Sequence, residues 1–236
     1  AASDLYKRQE KNTRKAVQVF RDLEWPGPDS SVPLLGAEVE GAVQVSGETV
    51  RFRADRVDLQ DGALVLTDYK TGKPFSAAAK EDTRRKHFLQ KVGQGELLQG
   101  VAYALAAGEE GDLGRYLYLA PETERESLEV RAPASDPALA STFERVLAGL
   151  LELREAGSFV PRLLDAKGDS EPRSCDFCEV STVCVRGDSG ARRRLREWLE
   201  DGAPGTRAEQ SVRSVWDVWR QFASAGTRQA SSGGGS

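Results

Sequence analysis

The chain has 236 residues, 39% hydrophobic and 30% charged, with a formal charge of −4 and an isoelectric point near 5.3. This balance suits a soluble globular domain with an appendage. It excludes a bilayer span, which needs roughly 18 apolar residues in a row, and it excludes coating of nucleic acid through bulk charge, which calls for a basic chain.

Residues 3–24 carry a sparse apolar stripe, Leu5, Val17, Phe20 and Leu23, at helical spacing. Trp25-Pro26-Gly27-Pro28 ends that helix. Three strands are predicted next, at about 37–45, 49–58 and 63–70. Ser46-Gly47-Glu48 turns the first into the second, and Asp61-Gly62 is a tight-turn signal between the second and third. Thr71-Gly72-Lys73-Pro74 breaks the sheet. A basic, flexible stretch follows, with Lys80, Arg84, Arg85, Lys86, His87 and Lys91. A helix is then predicted over about 88–107, with Leu97, Leu98, Val101, Ala104 and Leu105 as its apolar positions. Strands at 113–120 and 128–131, a helix at 136–156, a cysteine segment and a basic helix near 191–200 complete the pattern. Last comes an amphipathic stretch at 209–224 containing Val212, Val215, Trp216, Trp219 and Phe222.

That order predicts an α/β fold, a central mixed β-sheet flanked by helices, rather than alternating parallel units. The divisions expected are an N-terminal helix and linker (1–36), a core (37–165), a cysteine cluster with its basic helix (166–200), an amphipathic segment (201–230) and a flexible linker (231–236). The chain has no Met, which reads as a lost initiator or as a piece of a longer protein. No charged-then-apolar secretory start is present, so a cytoplasmic location is expected.

The strand at 63–70 holds the chemistry. Side chains alternate along a strand, so Leu64, Leu66, Asp68 and Lys70 share one face, and Ala63, Val65, Thr67 and Tyr69 the other. The Asp61-Gly62 turn makes the preceding strand an antiparallel neighbour and carries Asp55 alongside Asp68. Two carboxylates offer hard oxygen ligands for Mg²⁺ or Mn²⁺. A nearby lysine can orient a water or stabilise developing charge, and the Tyr69 carbonyl is a third candidate ligand. Alone, Asp-x-Lys is also what a solvated surface hairpin carries. Glu38 and Glu40, on the strand before, are candidate extra ligands that read equally as a solvated strand face.

Ala54-Asp55-Arg56-Val57-Asp58 followed by Asp68-Tyr69-Lys70-Thr71-Gly72-Lys73 resembles the RecB branch of the PD-(D/E)XK nucleases. The resemblance covers roughly residues 37–190 and implies a restriction-endonuclease-like fold. It also implies a metal-dependent deoxyribonuclease, most like an exonuclease, with Asp55 and Asp68 as metal ligands and Lys70 as the catalytic lysine. Gln99-Gly100-Val101-Ala102-Tyr103 matches that branch's Gln-x-x-x-Tyr, and the i,i+4 spacing puts Gln99 and Tyr103 on one helix face. They are expected beside the active site, with Gln94 a weaker candidate. Lys73, Arg84, Arg85, Lys86, His87 and Lys91 are candidate DNA contacts, and the arginines at 192–196 can neutralise phosphates or form a solvated face.

The three cysteines all lie in Cys175-x2-Cys178-x5-Cys184. An odd, tight cluster argues against a disulfide framework and for a metal in a reducing compartment. Iron–sulfur clusters and structural zinc both want four ligands. The spacing resembles the C-terminal triplet of RecB-type nucleases that hold a [4Fe–4S] cluster, among them AddB-like helicase–nuclease subunits and CRISPR-associated RecB-like exonucleases. In those the fourth cysteine lies upstream, and here none precedes Cys175. The branch's further His or Glu ligand on an upstream helix has no clear match either: the helix at 3–24 has Glu10 and Glu24, and His87 follows the catalytic strand. Both gaps lead to the expectation of a C-terminal nuclease part of a larger protein with a helicase–nuclease partner subunit, acting on single-stranded DNA or DNA ends in double-strand-break repair. A catalytically incomplete DNA- or partner-binding module and a CRISPR-associated exonuclease are the rival readings.

Overall fold

The computed structural model describes residues 2–25, 27, 33–121, 123–158, 175, 178–185, 188–201 and 215–220. They fall into two compact units, residues 1–145 and 146–236.

The first unit opens with α1 (Ala2–Glu24). Three antiparallel strands follow, β1 (Leu34–Val45), β2 (Glu48–Gln60) and β3 (Ala63–Lys70). Both hairpins turn through two residues of positive φ, Ser46-Gly47 and Asp61-Gly62. That is the geometry whose twist matches paired strands. Next are α2 (Glu81–Gly93), α3 (Leu98–Ala107), β4 (Leu113–Tyr118), the short α4 (Arg125–Leu128) and β5 (Glu129–Pro133). The sheet order is β1-β2-β3-β4-β5, with β4 parallel to β3 and β5 antiparallel to β4. The sheet is thus mixed and flanked by helices, as the order of elements implies. α5 (Pro137–Glu155) passes from the first unit into the second.

One expectation is corrected here. The single helix predicted over 88–107 is two helices, and the basic stretch before it is not flexible but forms the start of α2. Gly95 and Leu97 both adopt positive φ, 76° and 53°, which no continuous helix allows. Leu97, counted as a helical apolar position, is instead the left-handed residue preceding α3.

The face of the sheet carrying Arg56, Asp58, Thr67 and Arg115 is pinned to the end of α1 by a buried charge network. Glu24 accepts two hydrogen bonds from Arg115, at 2.9 and 3.2 Å, and lies 3.0 Å from Arg56. Arg56 also donates to Asp58 at 2.7 Å, and Arg115 to Thr67 at 2.9 Å. The Arg56 guanidinium lies over the rings of Trp25 and Phe20, 5.5 and 5.9 Å from their centroids. Glu24 is therefore a structural acid, on the face opposite Asp68. The exposed Glu10 pairs with Arg14 one turn away. Glu24→Ala leaves two buried guanidiniums sharing Asp58, with Glu129 at 3.9 Å from Arg115 as the more distant acid, and removing one partner of a buried pair costs about 3 kcal/mol. Urea unfolding should show that loss, and an unchanged midpoint would mean the network is not holding α1.

In the second unit, Leu153 of α5, Leu199 of α6 (Ser189–Asp201) and Val215, Trp216 and Val218 form a core of their own. Residues 215–220 are helical. They approach α5 so closely that a Cβ on Gly149 would lie 2.6 Å from Val218. The remainder of the predicted amphipathic stretch at 209–224, and the linker at 231–236, lie outside the described residues.

Candidate active site

β2 and β3 pair in the register Arg56 with Thr67 and Val57 with Leu66. Continuing it sets Asp55 across from Asp68. The alternation along β2 slips just there. Phe52 and Ala54 share a core cluster with Tyr103, whereas Arg56 and Asp58 face Glu24 and Arg115. On β1, Glu38 lies between the partners of Ala54 and Arg56 and has φ 55°. The slip brings Asp55 to the end of β3, where its Oδ2 accepts the Tyr69 N–H at 2.8 Å. Glu38 itself is exposed and paired with Arg53 at 2.8 Å, and Glu40 is exposed.

Asp68 is 5% exposed. The Lys70 ammonium sits 2.7 Å from its Oδ2. The distance is that of an ion pair, yet no donor meets Oδ2 at a hydrogen-bonding angle. Lys70 is thus an ion-pair partner held beside this oxygen without a well-aligned hydrogen bond. Burial pushes the Asp68 carboxyl above the usual range; Lys70 opposes the shift and Asp55 adds to it. Lys70 also donates to Gln99 Oε1 at 3.1 Å and lies 5.6 Å from the centroid of the Tyr116 ring.

Tyr103, one turn beyond Gln99, spends its hydroxyl on the Arg53 carbonyl at 2.9 Å. Burial, then the charges of Asp68 and Asp55, raise its pKa. It anchors α3 to β2 two residues before Asp55, which is a positioning role. Three further contributors escaped the sequence reading. Gly100 and Gly114 let α3 lie on β4 at backbone distance, and a Cβ on Gly114 would fall 1.7 Å from the Gly100 carbonyl oxygen. Tyr116, fully buried, accepts the Gly100 N–H at 2.7 Å and so caps a helix whose own preceding residue, Leu97, offers no side-chain cap. The signal available was Gly100 itself, an unfavourable residue inside a helical pattern. The nearby Tyr118 hydroxyl is pushed up to about 12 by burial and by Asp68.

Other predicted residues are placed apart from this group. Arg84 donates to the carbonyls of Ala78 and Ala79, Arg85 pairs with Asp136 at 2.7 Å, and Lys91 pairs with Glu96 at 2.9 Å. His87 Nδ1 lies 2.8 Å from Ser76 Oγ. Lys73 and Lys86 are exposed, and Gln94 is buried at the end of α2. A cavity of about 790 Å³ is lined by Arg84, Arg85, Arg115, Glu24, Glu129 and Asp136 among others, and none of Asp55, Asp68 and Lys70 lines it. Among the described residues Cys175, Cys178 and Cys184 form no disulfide; each is half-buried, and the Cys178 N–H donates to the Cys175 carbonyl at 3.3 Å. Among the described residues, no group of three or more His, Cys, Asp or Glu side chains is arranged to hold a metal ion.

The family model for the PD-(D/E)XK nuclease superfamily matches residues 3–185. The chain belongs to this superfamily. No curated protein and no solved structure matches it significantly. PD-(D/E)XK nucleases generally use Mg²⁺ or Mn²⁺. The donors here fit such an ion, because two carboxylates, the buried Asp68 and Asp55, meet at the end of one strand pair. A bound divalent ion supplies polarisation of the phosphoryl oxygen and a water of lowered pKa.

By accepting from the Lys70 ammonium, Gln99 restrains that side chain. Gln99→Ala removes the 3.1 Å bond from an exposed side chain, so stability should hold while the lysine gains freedom. We expect cleavage to fall by about tenfold, the equivalent of one modest hydrogen bond, with Gln99→Glu restoring part of it. A rate equal to the parent's would show that Lys70 needs no such support.

Proposed function

We propose that this chain is a Mg²⁺- or Mn²⁺-dependent deoxyribonuclease domain that hydrolyses DNA at ends or in single strands. The observation that carries this reading is the convergence of Asp55, the buried Asp68 and Lys70 at the end of one strand pair. The carboxylates would hold the ion, Lys70 would hold charge beside it, and Gln99 and Tyr103 would keep α3 in register with that group. Lys73 and Lys86 are the exposed cations near these elements in sequence, and Arg84, Arg85, His87 and Lys91 would reach DNA only by giving up their present partners.

The finer reading is the nuclease domain of an AddB-like helicase–nuclease subunit in cytoplasmic double-strand-break repair, acting as an exonuclease with a partner subunit. What supports it is the cysteine spacing 175, 178, 184, which suits a [4Fe–4S] cluster whose fourth ligand this chain does not contain. Among the described residues, no helix is long and apolar enough to cross a membrane.

The test is incubation with end-labelled single-stranded and duplex DNA, in Mn²⁺ or in EDTA, beside Lys70→Ala. Metal-dependent cleavage lost in the variant supports the nuclease. Cleavage that survives the substitution overturns the site, and DNA binding without cleavage by any form favours a binding module.

A further inference from the structure

Helix α6 buries one side, with Leu195 and Leu199 in the core of the second unit, and exposes Arg193, Arg194, Glu197 and Trp198 on the other. Trp198 is 38% exposed. Its inner face is held against Trp216, with centroids 4.3 Å apart, and Trp216 donates its indole N–H to the Trp198 carbonyl at 3.1 Å. The outer part of the ring is thus presented by a rigid backing. Arg194 lies one turn before it, and its guanidinium runs over Gly190, where a Cβ would come within 3.3 Å of Nη1. Arg193 is 74% exposed, with only a loose 3.7 Å contact to Glu197.

The charges of α6 run against its dipole. Arg192, Arg193, Arg194 and Arg196 occupy its first two turns, Glu197, Glu200 and Asp201 follow, and there is no acid in its first turn and no base in its last. A helix N-terminus favours anions and disfavours cations. Asp188 offsets this in part by accepting the Ala191 N–H at 2.8 Å. The dipole thus gives no support to the exposed Arg193 and Arg194, whereas a polyanion on this face would.

We propose that this face of α6 is a contact for single-stranded nucleic acid, with Trp198 stacking on a base and Arg193 and Arg194 taking the flanking phosphates. Aromatic platforms beside cations are how proteins grip single strands without reading sequence. The proposal rests on the nuclease reading for its ligand and concerns residues other than Asp55, Asp68 and Lys70.

The experiment is anisotropy of a fluorescein-labelled oligo(dT) titrated with the full chain in EDTA, so that binding is read without cleavage. Trp198→Leu keeps an apolar contact with Trp216 and should weaken binding by about tenfold, within the range for one stacked base. Arg193→Gln with Arg194→Gln should flatten the salt dependence by about 0.7 per lost phosphate contact on a log–log plot, with thermal stability equal or higher because the dipole conflict is relieved. Quenching of tryptophan emission by oligo(dT) should shrink in Trp198→Leu. Parent-like affinity and salt slope in both variants would overturn the proposal and leave the face to a protein partner. Loss of cleavage with these effects intact would instead count against the nuclease reading alone.

Discussion

Asp68→Asn should abolish metal-dependent cleavage while leaving the metal-free protein as stable as the parent, or more so. Losing one electrostatic contact at a reacting centre costs about 10²- to 10³-fold in rate, and under the proposed function the loss also takes a carboxylate from the ion. The stability half follows from burial. Asp68 is 5% exposed, and burial raises its pKa above the unfolded value despite the Lys70 ammonium beside Oδ2. A raised carboxyl pKa means that the native state holds the proton to higher pH than the unfolded chain does. The stability tied to this group is therefore present at low pH and lost as pH rises from the ordinary carboxylate range through the raised pKa. Asn removes that loss. Lys70 gives up its ion pair but keeps Gln99, and its side chain is one-third exposed to water. The difference between variant and parent should grow in the variant's favour as pH rises from acid to neutral, read by urea unfolding in EDTA. Parent-like cleavage would sink the ligand role. Strong destabilisation at neutral pH would show that the carboxylate serves the fold rather than an ion.

Gly114→Val should prevent α3 from packing on the sheet. The Cβ alone would lie 1.7 Å from the Gly100 carbonyl oxygen and 2.5 Å from its carbon. Both are backbone atoms, so no rotamer relieves the clash. The helix must move outward by more than an ångström. That breaks the Gly100 N–H bond to Tyr116 and lifts Gln99 and Tyr103 from Lys70 and Arg53. Overpacking usually costs 1–3 kcal/mol. A rigid backbone clash at a helix–sheet contact belongs beyond that range, at about 4 kcal/mol or more. For a protein of this size that lowers the melting temperature by about 8–16 °C. Gly100→Ala meets only the Tyr116 ring at 2.7 Å and should be milder, because a side chain can shift. A Gly114→Val protein that melts with the parent would show that the α3–β4 approach is not rigid.

The strand signals were legible because they are local. Alternation and the Asp61-Gly62 turn delimit β3 at Ala63–Lys70 and require β2 to return beside it. The helix break between α2 and α3 was missed because its cause is a left-handed Leu97, a residue whose intrinsic preference gives no warning. The slip in β2 at Asp55 was equally hidden, since it falls where the neighbouring strand has the left-handed Glu38 between its paired residues.

By itself, then, the sequence determined the mixed sheet, the sharing of one face by Asp68 and Lys70, and the burial of Val101 and Ala104 on α3, though not of Val17 on α1, which is exposed, because period and turn chemistry act over a few residues. Only the tertiary structure decided that Glu24 serves two buried arginines, that Gln99 reaches Lys70, and that Gly100 and Gly114 let α3 close on β4. Those outcomes depend on distances between elements far apart in the chain, which packing sets and no local pattern encodes.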